Sequence, residues 1–218
     1  MWLCFEVKDT HERSRMSHTK VVDNIEQGYS IFKHVPLVEK NPSFIDDILM
    51  AENFLKQEFD TDNVTWAYEK YNIFSLMAGS FHYWNLFKDV GLCVRRYMVE
   101  NLNNTLPKHM WIQAWLNSHT DEQLLTKHNH DKDKQGNLHG YISINPEDTT
   151  TRFYSTFEDE QPLYTIDNKI GYIYIGKGNV WHDVIANTPS KQKRITIGFD
   201  VMTRNTPTRN FGHIPITW

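Results

Sequence analysis

From residue 109 almost to the end, the chain alternates between two kinds of side chain, and this alternation constrains the fold more than any other feature. Strand-length stretches recur at 109–117, 138–145, 151–157, 162–166, 170–175, 182–186 and 194–202. Successive side chains of a strand point to opposite faces. One set is aliphatic: Ile112, Ala114 and Leu116, then Ile142 and Ile144, Ile173 and Ile175, and finally Ile195, Ile197, Phe199 and Val201. The other set is polar or aromatic: Gln113, Trp115 and Asn117, then His139, Tyr141, Ser143 and Asn145, Tyr172 and Tyr174, and Arg194 and Thr196. A sheet divided in this way needs cover over its aliphatic face, while the second face either meets solvent or lines a pocket.

The first half supplies the cover. Residues 28–38 read as a strand stopped by Pro36. Asn41-Pro42-Ser43 then opens a helix in which Phe44, Ile45, Ile48, Leu49, Phe54 and Leu55 recur at helical spacing to about Gln57. Ser80 caps a second helix, whose stripe runs through Phe81, Trp84, Phe87, Val90, Cys93, Val94, Met98 and Leu102 and is interrupted by Gly91. Helices followed by a run of strands indicate an α+β fold with helices over one face of a folded sheet. A chain of 218 residues, 39% hydrophobic, is long enough to bury one sizeable core. The expected division is a single domain over 1–218: a loosely ordered arm at 1–26, a strand and supporting helices at 27–108, a β core at 109–203 and a tail at 204–218.

The formal net charge is −4 and the pI about 6.2, so no broad basic field is present and bulk nucleic acid is the least favoured partner. Cys4 and Cys93 form no disulfide framework. No apolar run is long enough to span a bilayer, and the opening Met1-Trp2-Leu3-Cys4-Phe5-Glu6 makes a poor secretory signal. The expectation is a soluble, cytoplasmic protein without a membrane partner.

Three histidines point to a metal. His128 and His130 are two apart, so in an extended segment both rings project from one face. His182 opens a later strand, after the glycine-bearing turn Gly176-Lys177-Gly178-Asn179-Val180-Trp181. Three neutral imidazoles on one side of an ion leave opposite positions open for a bidentate ligand and for oxygen. Arg194 follows on the next strand and on the pocket face, with Thr196 beside it; a guanidinium there suits the distal carboxylate of a metal-bound dicarboxylic acid. Taken singly, His-x-His is commonly a surface pair and Arg194 a solvated strand arginine continuing Lys191-Gln192-Lys193. Their order along the chain is the stronger signal.

That order is His128-x-His130, Gly140-Tyr141-Ile142-Ser143-Ile144, Gly171-Tyr172-Ile173-Tyr174-Ile175, His182, and Arg194-Ile195-Thr196-Ile197-Gly198-Phe199. It resembles the 2-oxoglutarate- and Fe(II)-dependent oxygenases, most of all their prolyl-hydroxylase-like branch and related bacterial and phage proteins that carry His-x-His. The resemblance covers about 109–203 and implies a double-stranded β-helix, a jelly-roll or cupin-like barrel with N-terminal supporting helices. It implies an oxidoreductase, a dioxygenase that couples 2-oxoglutarate decarboxylation to C–H hydroxylation. Fe(II) and 2-oxoglutarate are the implied cofactors, and 2-oxoglutarate and O2 the small-molecule co-substrates. His128 and His182 would be catalytic metal ligands, Arg194 would hold the C5 carboxylate, and Thr196, Tyr141 or Ser143 would assist.

Two departures stand out. The branch usually has Asp two residues after the first His, where this chain has His130. Either His130 ligates, the favoured expectation, or a bulge brings Asp131 or Asp133 to the metal. The turn before His182 also lacks a proline often found there. A cupin-type metalloenzyme without 2-oxoglutarate is the alternative enzyme, although no Glu lies within five residues of His130 and Arg194 then has no task. A barrel that binds without catalysing is a third reading.

Overall fold

The aliphatic residues of the strand-rich half lie together on one face of a seven-stranded sheet. In the computed structural model, residues 18–102, 110–120, 125–130, 137–189, 192–202 and 212–216 are described. The strands are β1 (His18–Asn24), β2 (Tyr29–His34), β3 (Met110–His119), β4 (Leu138–Asn145), β5 (Thr149–Tyr154), β6 (Tyr164–Asp167), β7 (Tyr172–Lys177), β8 (Trp181–Ala186), β9 (Arg194–Met202) and β10 (Ile214–Ile216). The helices are α1 (Val35–Glu39), α2 (Asn41–Phe59), α3 (Ile73–Leu76) and α4 (Phe81–Asn101), with a 3-10 helix over Val64–Lys70.

The larger sheet has the order β1-β2-β7-β4-β9-β3-β10 and the smaller one β6-β5-β8, all neighbours antiparallel. The segment at 125–130 extends the smaller sheet, since His128 bridges His182 of β8. Two facing sheets with consecutive strands shared between them make a double-stranded β-helix.

Every strand residue of the aliphatic set is buried in the principal core, which also holds Phe44, Ile48, Leu55, Leu86, Val90 and Val94 of the two long helices. Asn41 and Pro42 open α2, and Asp60 ends it in the left-handed conformation at φ 46°. Ser80 caps α4 by accepting a hydrogen bond from the Tyr83 amide at 3.5 Å. The inward stripe of α4 is Tyr83, Leu86, Val90, Val94 and Tyr97, whereas Phe81 and Trp84, expected inside, are half or more exposed. Phe54 of α2 likewise faces out and Ala51 takes its place.

Two strands lie outside the elements read from the sequence. Part of the expected N-terminal arm is β1, paired with β2 at the sheet edge, and part of the expected tail is β10, paired with β3. Residues 1–17 and Asp131 and Asp133 lie outside the described residues. Among those described, no helix is long and apolar enough to cross a membrane.

The polar face also divides further than its pattern foretells. Tyr174 and Tyr172 do not line the cavity: they pack with Tyr29, Tyr141, Phe153 and Tyr164 in a second, smaller core between the sheets. Tyr174 stacks on Tyr141 at 5.1 Å and on Phe153 at 4.7 Å between ring centroids. That aromatic plug closes one end of the barrel and leaves the other open.

Candidate metal centre

The open end holds a cavity of about 500 Å³ whose wall includes His128, His130, His139, His182, Arg194 and Asp200. His128 and His182 face each other as a directly opposed antiparallel pair, each amide donating to the other's carbonyl at 3.0 and 2.8 Å. Opposed residues share a face, so their rings meet, with centroids 4.4 Å apart. His130, two residues on and anchored by its amide to the Gly178 carbonyl at 2.8 Å, returns to the same face. Its ring lies 5.1 Å from that of His128 and 5.3 Å from that of His182. One potential ligand atom from each of the three falls within 4.8 Å of the others.

Hydrogen bonds at the far side of each ring identify those atoms. Nδ1 of His128 lies 2.6 Å from the Thr126 carbonyl, and Nδ1 of His182 lies 3.4 Å from the Val180 carbonyl. A carbonyl only accepts, so both nitrogens carry the proton and Nε2 keeps the lone pair. Nδ1 of His130 is 3.1 Å from Oδ2 of Asp200, and its Nε2 is buried with no hydrogen-bond partner. Burial holds the His182 imidazole well below its ordinary range, and the neighbouring histidines push it the same way. His128 is lowered too, by burial and then by His130. All these causes favour uncharged rings, the form that binds metal.

Arg194 stands across the cavity on β9, 6% exposed. No carboxylate among the described residues pairs with it, and its Nε lacks a hydrogen-bond partner. Burial pulls its guanidinium down to about 10. A buried cation without a counter-charge is costly, and an incoming anion removes that cost. Thr196 and Tyr141 line the same cavity. Ser143, opposite Thr196 on β4, is fully buried with an unpaired Oγ and is not one of the residues that line the cavity.

Two groups at the centre, Asp200 and His139, belong to no motif in the sequence. Asp200 lies on the face of Arg194 and Thr196 by parity and opposes His139 directly. Its Oδ1 accepts from Nδ1 of His139 at 2.8 Å. Burial alone would raise this carboxyl, yet His130 and His139 draw it well below the usual carboxylate range. His139 itself is pushed down to about 4, first by burial and then by His130, on which it stacks at 3.7 Å.

SnoK, a non-haem alpha-ketoglutarate-dependent carbocyclase from nogalamycin biosynthesis, superposes with a TM-score of 0.53 at 13% identity, over 81% of this chain and 80% of its own. A Pseudomonas putida prolyl-4-hydroxylase gives 0.50 at 11%, over 82% and 90%. The epimerase SnoN, solved with Fe3+, alpha-ketoglutarate and nogalamycin RO, gives 0.51 at 10%, over 81% and 79%. The chain has the fold of these enzymes. No protein-family model and no curated protein matches the sequence itself. The double-stranded β-helix that the sequence resemblance implies is the one its two facing sheets form.

Proposed function

We propose that this protein is a 2-oxoglutarate- and Fe(II)-dependent oxygenase that hydroxylates a C–H bond of its prime substrate. The observation that carries this reading is one cavity with three converging imidazoles on one wall and, on another, a buried guanidinium that no carboxylate among the described residues pairs. The donor set fits the ion: three uncharged nitrogen ligands suit a divalent first-row metal and leave positions for a chelating co-substrate. The orphaned Nε of Arg194 fits the remote carboxylate of a dicarboxylic acid.

Fe(II) bound by His128, His130 and His182 would supply oxygen activation coupled to decarboxylation of 2-oxoglutarate to succinate. The chain's own residues select and orient. Arg194 presents a planar donor pair that fixes the length and direction of the dicarboxylate, and Thr196 adds a hydroxyl beside it. Trp115 lies beside His130, their ring centroids 5.5 Å apart and their planes 21° from parallel. Together with Leu125 and Val184 it supplies apolar lining to the cavity.

The test is anaerobic. Fe(II) and 2-oxoglutarate together are expected to give a visible charge-transfer band that neither gives alone, and Arg194→Ala is expected to weaken it strongly. Metal binding that ignores 2-oxoglutarate would overturn the proposal.

A further inference from the structure

The usual facial triad includes a carboxylate, and this centre has one close by but on the wrong side of a ring. We infer that Asp200 is a positioning residue that holds His130 in its Nδ1-protonated form and so makes Nε2 its coordinating atom. The inference rests on the metal site proposed above.

An ionised carboxylate has acceptors only. Its two oxygens take one ring N–H each, from His130 at 3.1 Å and from His139 at 2.8 Å. Both rings therefore carry their proton on Nδ1, and the neutral imidazole keeps its lone pair on Nε2. The Nε2 of His130 is buried without a partner, so a proton there would have no acceptor. His139 fixes the carboxylate in turn. It lies parallel to His130, 11° between planes, and opposes Asp200 across β4 and β9, so ring and carboxylate cannot rotate independently. Metal-bound histidines commonly donate their second N–H to a carboxylate, which raises ligand basicity. Here that arrangement puts one negative charge behind a triad of neutral ligands.

His130, His139 and Asp200 also lie close enough together to hold an ion themselves. A neutral His130 with its proton on Nδ1 cannot ligate there, so the hydrogen-bonded arrangement predicts one ion per chain.

The decisive variant is Asp200→Asn. Its amide offers one acceptor and one NH2 donor to two ring N–H groups, so one ring must change tautomer or lose its bond. Anaerobic titration of Fe(II) or Zn(II) against a chromogenic chelator is expected to show about a 10- to 100-fold loss of affinity. His139→Phe is expected to lose affinity in the same direction, and His139→Asn, which keeps an N–H for Oδ1, to recover most of it. In the zinc-loaded wild type, two-bond 1H–15N spectra are expected to show His130 protonated at Nδ1 and metallated at Nε2. Wild-type affinity in Asp200→Asn, metallation of His130 at Nδ1, or two ions per chain with one lost in that variant would each overturn the inference. Should Asp200→Asn not fold, the spectrum and the two His139 variants decide alone. Metal bound without a 2-oxoglutarate-dependent band removes the oxygenase reading and leaves this one standing. An unchanged Asp200→Asn does the reverse.

Discussion

His128 and His182 are joined backbone to backbone, at 3.0 and 2.8 Å, before their rings ever meet an ion. The ladder between residues 125–130 and β8 therefore preorganises the pair, and substitution of either side chain should spare the fold. His182→Ala is expected to retain cooperative unfolding without metal. It should lose metal affinity by more than the roughly 10- to 100-fold typical of an outer-sphere partner. Calorimetry of the metal-free variant beside a chelator competition checks both halves.

Arg194 exposes a conflict between stability and binding. Its guanidinium is buried with no carboxylate partner among the described residues, so the metal-free fold bears the desolvation of a charge. Arg194→Met keeps the length and removes the charge. We expect the metal-free variant to melt higher, by about 2–4 °C for each kcal/mol relieved in a chain of this size. The 2-oxoglutarate-dependent absorption band should vanish with it. A lower melting temperature would show that Arg194 is compensated in the free protein.

Much of the site could be read from residue parity. Gln113, Trp115, Asn117, His139, Tyr141, Arg194 and Thr196 all line the cavity as their alternation required, because a two-residue period is enforced by covalent geometry. Tyr172 and Tyr174 share that parity but fill the closed end, since parity names a face and not the depth along a barrel. Asp200 has the right parity too. What gives it meaning is contact with residues 61 and 70 positions away, and no local pattern carries such a pairing. The stripe of α4 leaves its expected face at Phe81 and Trp84 for a related reason: where apolar residues are abundant, neighbouring elements decide which face turns inward. The edge strands β1 and β10 are legible only through their partners, as His18–Asn24 is polar and Ile214–Ile216 spans three residues.

His119 gives a pH dependence independent of metal. It opposes Arg194 on β3, is 2% exposed and is pushed down to about 4, by burial first and by Arg194 second. Between about pH 4 and 6.5 the unfolded chain binds a proton here that the folded one refuses, so stability rises with pH across this window. The contribution is complete above the unfolded value and is lost as the pH falls toward 4. Its size is on the order of 3 kcal/mol. His119→Gln cannot titrate, and urea denaturation of the metal-free protein should show a shallower loss of stability from pH 6.5 to 4 than the wild type. Parallel profiles would assign the acid sensitivity elsewhere.

Gly198 controls where Trp115 lies. The two oppose each other across β3 and β9, and a Cβ on Gly198 would come within 2.7–2.9 Å of Cε2, Cζ2 and Nε1 of the indole. Those atoms belong to a rigid ring already stacked on His130 at 5.5 Å and held by Tyr68 at 5.8 Å, so the clash cannot be absorbed by a flexible tip. Gly198→Ala is expected to cost about 1–3 kcal/mol, as overpacking does elsewhere, and to displace the indole from its seat against His130. Trp115→Leu removes the obstructing ring, so in the double variant the alanine should cost less than it does alone, a coupling of at least about 0.5 kcal/mol between touching residues. Additive losses in chemical denaturation would show that strand β9, and not the tryptophan, absorbs the extra methyl.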